Sequence, residues 1–235
     1  MEDVRPNEQR AKTAKILIWI VLAIEILMLI SDFFEYQLLS NASAGLSISP
    51  ESATANDTRQ LIISILYLIA YITSAVTFIM WFRRAYYNLH TQIFNLNHDE
   101  GWAAGAWFVP FLNLFRPYQI MKELYQETEH LLVERVENYQ THNHTALLGG
   151  WWALWIFVSF VGQFVFRYSV GADTIEELMV VSVASIVSSV ASIPLAFVAV
   201  EVISRYAKME ALLYNEGYSV EKEEDDSDII DSHLT

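Results

Sequence analysis

The chain of 235 residues contains no cysteine. That excludes disulfides, thiolate metal sites and cysteine nucleophiles. Basic residues are scarce: 14 Lys and Arg stand against 28 Asp and Glu, for a net charge of −14. A nucleic-acid partner would need a basic face, so none is expected. The signatures of soluble enzymes are missing too. The sequence holds no P-loop, no G-x-S-x-G, no H-E-x-x-H and no paired C-x-x-C. With no nucleophile–base pair in view, it predicts a non-enzymatic protein with no catalytic residue, no metal ligand and no cofactor.

What the chain does have is apolar length. Hydrophobic residues make up 54% of it, against about 45–50% in a soluble domain. The excess is concentrated in four runs, 16–38, 61–82, 147–168 and 177–203. Each is long enough to cross about 30 Å of hydrocarbon as a helix rising 1.5 Å per residue. The first run resembles a secretory signal in one respect. Arg5, Arg10, Lys12 and Lys15 form a basic flank, and Ala42-Ser43-Ala44 is an A-x-A-like site. A signal ending there would be too long, however, and would carry Glu25, Asp32 and Glu35. The run is therefore read as an anchor.

The stretch GWAAGAWFVPFLNLFRPYQ, from Gly101 to Gln119, is apolar but too short to cross. Trp102 to Phe115 would span about 21 Å as a helix; Pro110 interrupts it, and Arg116-Pro117 stops it. Charge gives an independent test. If the stretch turns back and the N-terminus is cytoplasmic, only Arg59 and Arg167 lie outside and the other twelve basic residues lie inside. If it crosses, the split becomes seven to seven. The positive-inside rule favours the first arrangement. Asn113 is the only strongly polar side chain between Trp102 and Phe115, so a flat interfacial helix is disfavoured over a re-entrant segment covered by protein. Gly101 and Gly105, spaced as G-x-x-x-G, suggest close helix contact there, and Trp102 and Trp107 suit the headgroup level.

The expected organisation follows. Residues 1–15 are cytoplasmic, 39–60 an outer loop, 83–146 cytoplasmic, 169–176 a short outer loop and 204–235 a cytoplasmic tail. Asn41-Ala-Ser43 and Asn56-Asp-Thr58 match the glycosylation sequon, a pattern too common by chance to carry weight. Within the cytoplasmic region, 118–139 reads as an amphipathic helix. Ile120, Met121, Leu124, Tyr125, Thr128, Leu131, Leu132 and Val136 recur at helical spacing there. His142 and His144, two apart before the third span, read as a solvated loop rather than a metal site. The acidic run Glu221–Asp228 reads as disordered.

Glu25 is the most informative single residue. It lies ten residues beyond Lys15, which puts it about 15 Å deeper, at the bilayer midplane. An ionised side chain there costs at least about 2.5–3.5 kcal/mol. Asp32 follows seven residues later on the same face. Tyr71, Ser74, Ser159, Ser188 and Ser189 reach similar depth on the other spans, and no Lys or Arg does. Two readings stay open: a protonated structural acid hydrogen-bonded across helices, or a proton or cation site made by Glu25, Asp32, Ser188 and Ser189. The small residues of the fourth span, Ser182, Ala184, Ser185, Ser188, Ser189, Ala191 and Ser192, suit close helix packing. Pro194 kinks that span or is absorbed by its neighbours. Glu201 is expected to pair with one of Arg205, Arg83, Arg84 or Arg116 at the inner interface.

The run Trp81-Phe-Arg-Arg-Ala-Tyr86, Asn88-Leu89, then Gly101 to Pro110, Asn113-Leu-Phe-Arg-Pro-Tyr118 and Met121-Lys-Glu-Leu124 resembles a bacterial family known as domain of unknown function 4328. The likeness covers roughly residues 60–210. It implies a bacterial multi-span protein and transfers no activity, substrate or catalytic residue.

Together these readings predict an all-α integral membrane protein. Four transmembrane helices form a bundle in the bacterial inner membrane, with both termini cytoplasmic, a re-entrant or interfacial segment at 101–117 and an amphipathic cytoplasmic helix after it. The expected function is an interaction or regulatory scaffold. Trp81, Arg83, Arg84, Trp102, Trp107, Asn113, Arg116, Pro117 and Glu201 would form a rigid inner-face platform for lipid headgroups, a cytoplasmic protein partner or a second copy of the chain. The alternative is a small transporter or channel using Glu25 and Asp32. Single cysteines placed near Ser49, Thr141, Ala172 and Ser232 should label with an impermeant reagent as outside, inside, outside and inside. Labelling of Thr141 from outside intact cells would reverse the topology of both later spans.

Overall fold

Apolar helices that cannot hydrogen-bond to their surroundings must satisfy their backbone internally, and this chain does so with helices alone. A computed structural model describes residues 4–232, with side chains described to Tyr214. The helices are α1 (Glu8–Ser43), α2 (Pro50–His90), α3 (Trp102–Gly105), α4 (Arg116–Arg135), α5 (Thr145–Ser169) and α6 (Ile175–Ser232), with a 3-10 turn at Leu112–Leu114. No strand occurs among the described residues. Four helices, α1, α2, α5 and α6 as far as Tyr214, are long and apolar enough to cross a membrane. Their side chains are unusually bare: only 11% of the most apolar window of α2 is buried within the chain. Leu61, Leu68 and Ile69 are each more than half exposed. In water such a surface would drive association; against acyl chains it costs nothing. Four such helices fit a multi-pass membrane protein.

The helices exceed the apolar runs at most ends. Only residues 44–49 separate α1 from α2, so the outer loop expected over 39–60 is mostly helix. The polar Ser, Asn and Thr there continue turns already nucleated by the apolar runs, which removes the nucleation penalty. The acidic run Glu221–Asp228, expected to be disordered, lies outside the residues whose side chains are described. Pro194 lies inside α6 without ending it. The helix expected over 118–139 begins instead at Arg116 and ends at Arg135. Pro117, in its first turn, is preorganised for a helix start, and Val136 is extended.

The chain divides into two units. The first comprises residues 1–12, 78–148 and 201–235. Its core is aromatic: Trp81, Phe82, Tyr86, Tyr125 and Tyr206 are all at most 1% exposed. Trp81 meets Tyr206 edge-on at 6.0 Å, and Tyr125 meets Tyr206 at 5.5 Å. The amphipathic α4 supplies Ile120, Met121, Leu124, Leu131 and Leu132 to this core. The second unit comprises residues 13–77 and 149–200. There α1 meets α6 through Trp19 and Phe197, whose rings are 5.0 Å apart. It meets α2 through Ser31, whose Oγ donates to Gln60 Oε1 at 3.0 Å.

Trp81 fills the centre of the first core, so Trp81→Ala should cost about 3–5 kcal/mol. Thermal unfolding in a fixed detergent should show a large drop in Tm for it and almost none for Leu61→Ala, whose side chain is 62% exposed.

Candidate functional site

Two polar constellations stand out, one in each unit. In the second unit, Glu25 and Asp32 are only 4% and 5% exposed. Glu25 Oε2 and Asp32 Oδ2 are buried without a hydrogen-bond partner. The hydroxyls of Tyr67, Ser189 and Ser192 face the Glu25 carboxyl. Ser192 Oγ donates to the Ser188 carbonyl at 3.0 Å. Of the residues that the depth count puts at this level, Ser189 faces Glu25; Tyr67 and Ser192 face it as well, while Ser188 contributes its carbonyl to Ser192. Around Asp32, Gln60 Nε2 donates to Asp32 Oδ1 at 3.2 Å and to Glu35 Oε2 at 2.8 Å. Ser182 Oγ donates to the Asp32 carbonyl at 3.1 Å, which uses one of the small α6 residues as a polar tie to α1. Arg59 donates from Nε to Ser31 Oγ at 2.9 Å and from Nη2 to the Ser31 carbonyl and Asn56 Oδ1.

In the first unit, three buried clasps hold the helix ends. Glu210 Oε1 accepts from Asn88 Nδ2 at 2.9 Å, and Glu210 Oε2 accepts from Asn7 Nδ2 at 3.0 Å. Asn88 also exchanges two hydrogen bonds with the Arg5 backbone. Glu123 Oε2 lies 2.6 Å from the Tyr86 hydroxyl, and its Oε1 accepts from Asn97 N and Nδ2 at 2.6 and 2.7 Å. Tyr125 donates its hydroxyl proton to the Val202 carbonyl, and burial pushes that phenol above its ordinary range. Sequence reading missed Asn7, Asn97, Glu123 and Glu210. An acid on an amphipathic helix reads as solvated, and nothing in its spacing reveals a neighbour more than twenty residues away.

The residues expected to form a platform divide into core and surface. Trp81 is wholly enclosed and Pro117 is buried. Trp107 anchors the 101–115 stretch to α2, edge-on to Phe78 at 5.7 Å, with its Nε1 donating to the Ala103 carbonyl. The close seating expected from the glycines comes instead from Ala103 and Ala106, both 0% exposed. A Cβ on Gly101 would meet nothing within 4 Å, so the G-x-x-x-G spacing is not a helix-packing motif here. Asn113 is half-buried in the 3-10 turn. Arg83 pairs with Glu100 at 3.1 Å, and Glu201 pairs with Arg205 at 2.6 Å, as expected of that acid. Both pairs are surface-exposed and contribute little to stability. Arg116 lies over the Trp102 ring at 5.6 Å, with its Nε buried and unpartnered. Beside it the chain presents Phe108, 76% exposed, and Phe111, 80% exposed.

The match to known proteins follows the same stretch. The model of the domain of unknown function DUF4328 matches residues 44–208. The chain belongs to this family. The matched region takes in the Arg116–Trp102 stack, Gln60 and Ser189, and leaves Glu25, Asp32 and Glu35 on α1 outside it. No curated protein and no solved structure matches the chain. Among the described residues, no group of three His, Asp or Glu is placed to hold a metal ion.

His144, whose side chain is 10% exposed, sits in a cavity of about 270 Å³ with Lys122, Tyr125 and Glu129. Both its ring nitrogens are without hydrogen bonds, and Tyr125 lies 4.8 Å from the ring. Burial lowers its pKa below the ordinary 6.5, offset in part by Glu129. A lowered histidine stabilises the fold fully above its unfolded pKa, and that contribution is lost as pH falls through the folded value. Amide protection factors across residues 142–148, exchange being corrected for its intrinsic pH dependence, should therefore fall as the pH drops below about 6.5, and His144→Gln should remove that acid step. Unchanged protection of the wild type across this window would contradict the assignment.

Proposed function

We propose that the protein is a non-enzymatic membrane scaffold whose first unit is a rigid platform that binds anionic phospholipid headgroups at the inner leaflet of a bacterial cytoplasmic membrane. The observation that carries this reading is Phe111. Its φ of 66° and ψ of −42° are unfavourable for a bulky residue, yet its side chain is 80% exposed. Such backbone strain costs about 1–3 kcal/mol and persists only where the surroundings impose it. Here the surroundings are the Trp107 anchor and the enclosed Ala103 and Ala106. Phe108 and Phe111 then enter the acyl region as a re-entrant wedge, and Arg116, stacked on Trp102, meets the phosphate. The two-sided aromatic and cationic character of the stretch fits a bilayer interface better than a wholly aqueous partner surface.

Charge complementarity favours anionic lipid. Arg5, Arg10 and Arg83 act on Arg84 within this unit, and of these four only Arg83 forms an ion pair with a carboxylate among the described residues. The amphipathic α4 and the aromatic core make the support stiff. Both termini lie on the same side as the platform, in keeping with the positive-inside count.

Each Lys or Arg near an anionic membrane surface contributes about 1 kcal/mol, or roughly fivefold in affinity. Native mass spectrometry of the detergent-solubilised protein should show phosphatidylglycerol retained over phosphatidylcholine. Arg116→Gln should lower that preference roughly fivefold, and Phe108→Ser with Phe111→Ser should weaken retention of both lipids. Equal retention of the two lipids by the wild type would end this reading.

A further inference from the structure

The acids of the second unit exceed its bases at one place. Glu25, Asp32 and Glu35 lie on one helix and interact with one another in a chain, Glu25 with Asp32 and Asp32 with Glu35. The one base acting on them is Arg59, on α2. Its bonded donors go to Ser31 and Asn56, which are neutral. One cation cannot neutralise three carboxylates, and an unpaired carboxylate buried away from water is prohibitively costly. Removing the charge is the alternative, and a bound proton does so at the carboxyl itself.

Hydrogen-bond directions at Glu25 agree. Ser192 has committed its hydroxyl proton to the Ser188 carbonyl, so towards Glu25 it offers only a lone pair. A carboxylate has no use for that lone pair, whereas a carboxylic acid donates to it. At Asp32, one oxygen is taken by Gln60 and the other is buried and unpartnered. The remaining groups that face these acids are the hydroxyls of Tyr67, Tyr71 and Ser189, with Asp57 acting on Glu35. None of them is a cation.

We infer that Glu25 and Asp32 form a reversible proton-binding pair within the membrane spans, exchanging with water at the Glu35–Arg59 end. Arg59 gives the geometry of access. It borders an open cleft of about 820 Å³ with Pro50, Thr54 and Ile62, while its Nε reaches Ser31, next to Asp32. The ligand proposed is a proton, because it removes the charge at the carboxyl itself and needs no further coordinating groups; among the described residues no group of three His, Asp or Glu is placed to hold a metal ion. This site is independent of the lipid-binding platform, since every residue in it belongs to the second unit.

Infrared spectroscopy of the full chain in liposomes tests it through the C=O stretch of protonated carboxyl groups. The wild type should show such a band at neutral pH, shifted by H/D exchange, lost on raising the pH and restored on lowering it. Glu25→Gln should remove most of the band and Asp32→Asn should alter the remainder. Should either variant fail to fold, Ser192→Ala keeps the carboxyl and should move the band to higher frequency by deleting its acceptor. Absence of the band in the wild type would overturn the proposal. So would a band erased by sodium or potassium at fixed pH, which would assign a metal cation, or one left unmoved by Ser192→Ala.

Discussion

Hydrocarbon offers no hydrogen bonds, and that constraint governs how the apolar helices of this chain dispose of their polar groups. The backbone answers it with long helices that satisfy themselves. The side chains answer it by meeting in small closed groups. Gln60 serves Asp32 and Glu35 with its amide hydrogens and Ser31 with its oxygen. Asn88 holds both the Arg5 backbone and Glu210. Each amide spends its full hydrogen-bonding capacity across elements distant in sequence, so each fixes the rotation of the helices that carry it.

The two units use this economy differently. In the first, the carboxylates of Glu123 and Glu210 receive two or more donors each, and aromatic rings fill the remaining volume. Carboxylates held by several donors in this way stiffen the elements they join. In the second, Glu25 and Asp32 each keep one oxygen without a partner. A buried group left incomplete costs energy that a completed one does not.

Much of the candidate site was legible in the residues, for reasons that differ from case to case. Glu25 announces itself because an acid in the middle of an apolar run has no solvated reading. Arg116 and its neighbours stand out because prolines and tryptophans break the apolar pattern there. Glu123 and Glu210 do not stand out, since each occupies a helix in which charge is ordinary. The G-x-x-x-G spacing pointed to glycine contacts, yet alanines make the close approach. Spacing shows which residues share a face and is silent about which face is covered.

The sequence by itself determined the all-helical class and the four helices long and apolar enough to span a membrane, because these depend on local apolar length and on the fixed rise of a helix. It also carried the family likeness, through the order of tryptophans, prolines and arginines from Trp81 to Leu124. Only the tertiary structure decided that Tyr67, Ser189 and Ser192 face Glu25, that Gln60 bridges Asp32 and Glu35, and that Glu210 holds Asn7 and Asn88. Those pairings depend on how each helix is rotated about its axis, and rotation is set by side chains packing across elements far apart in the chain.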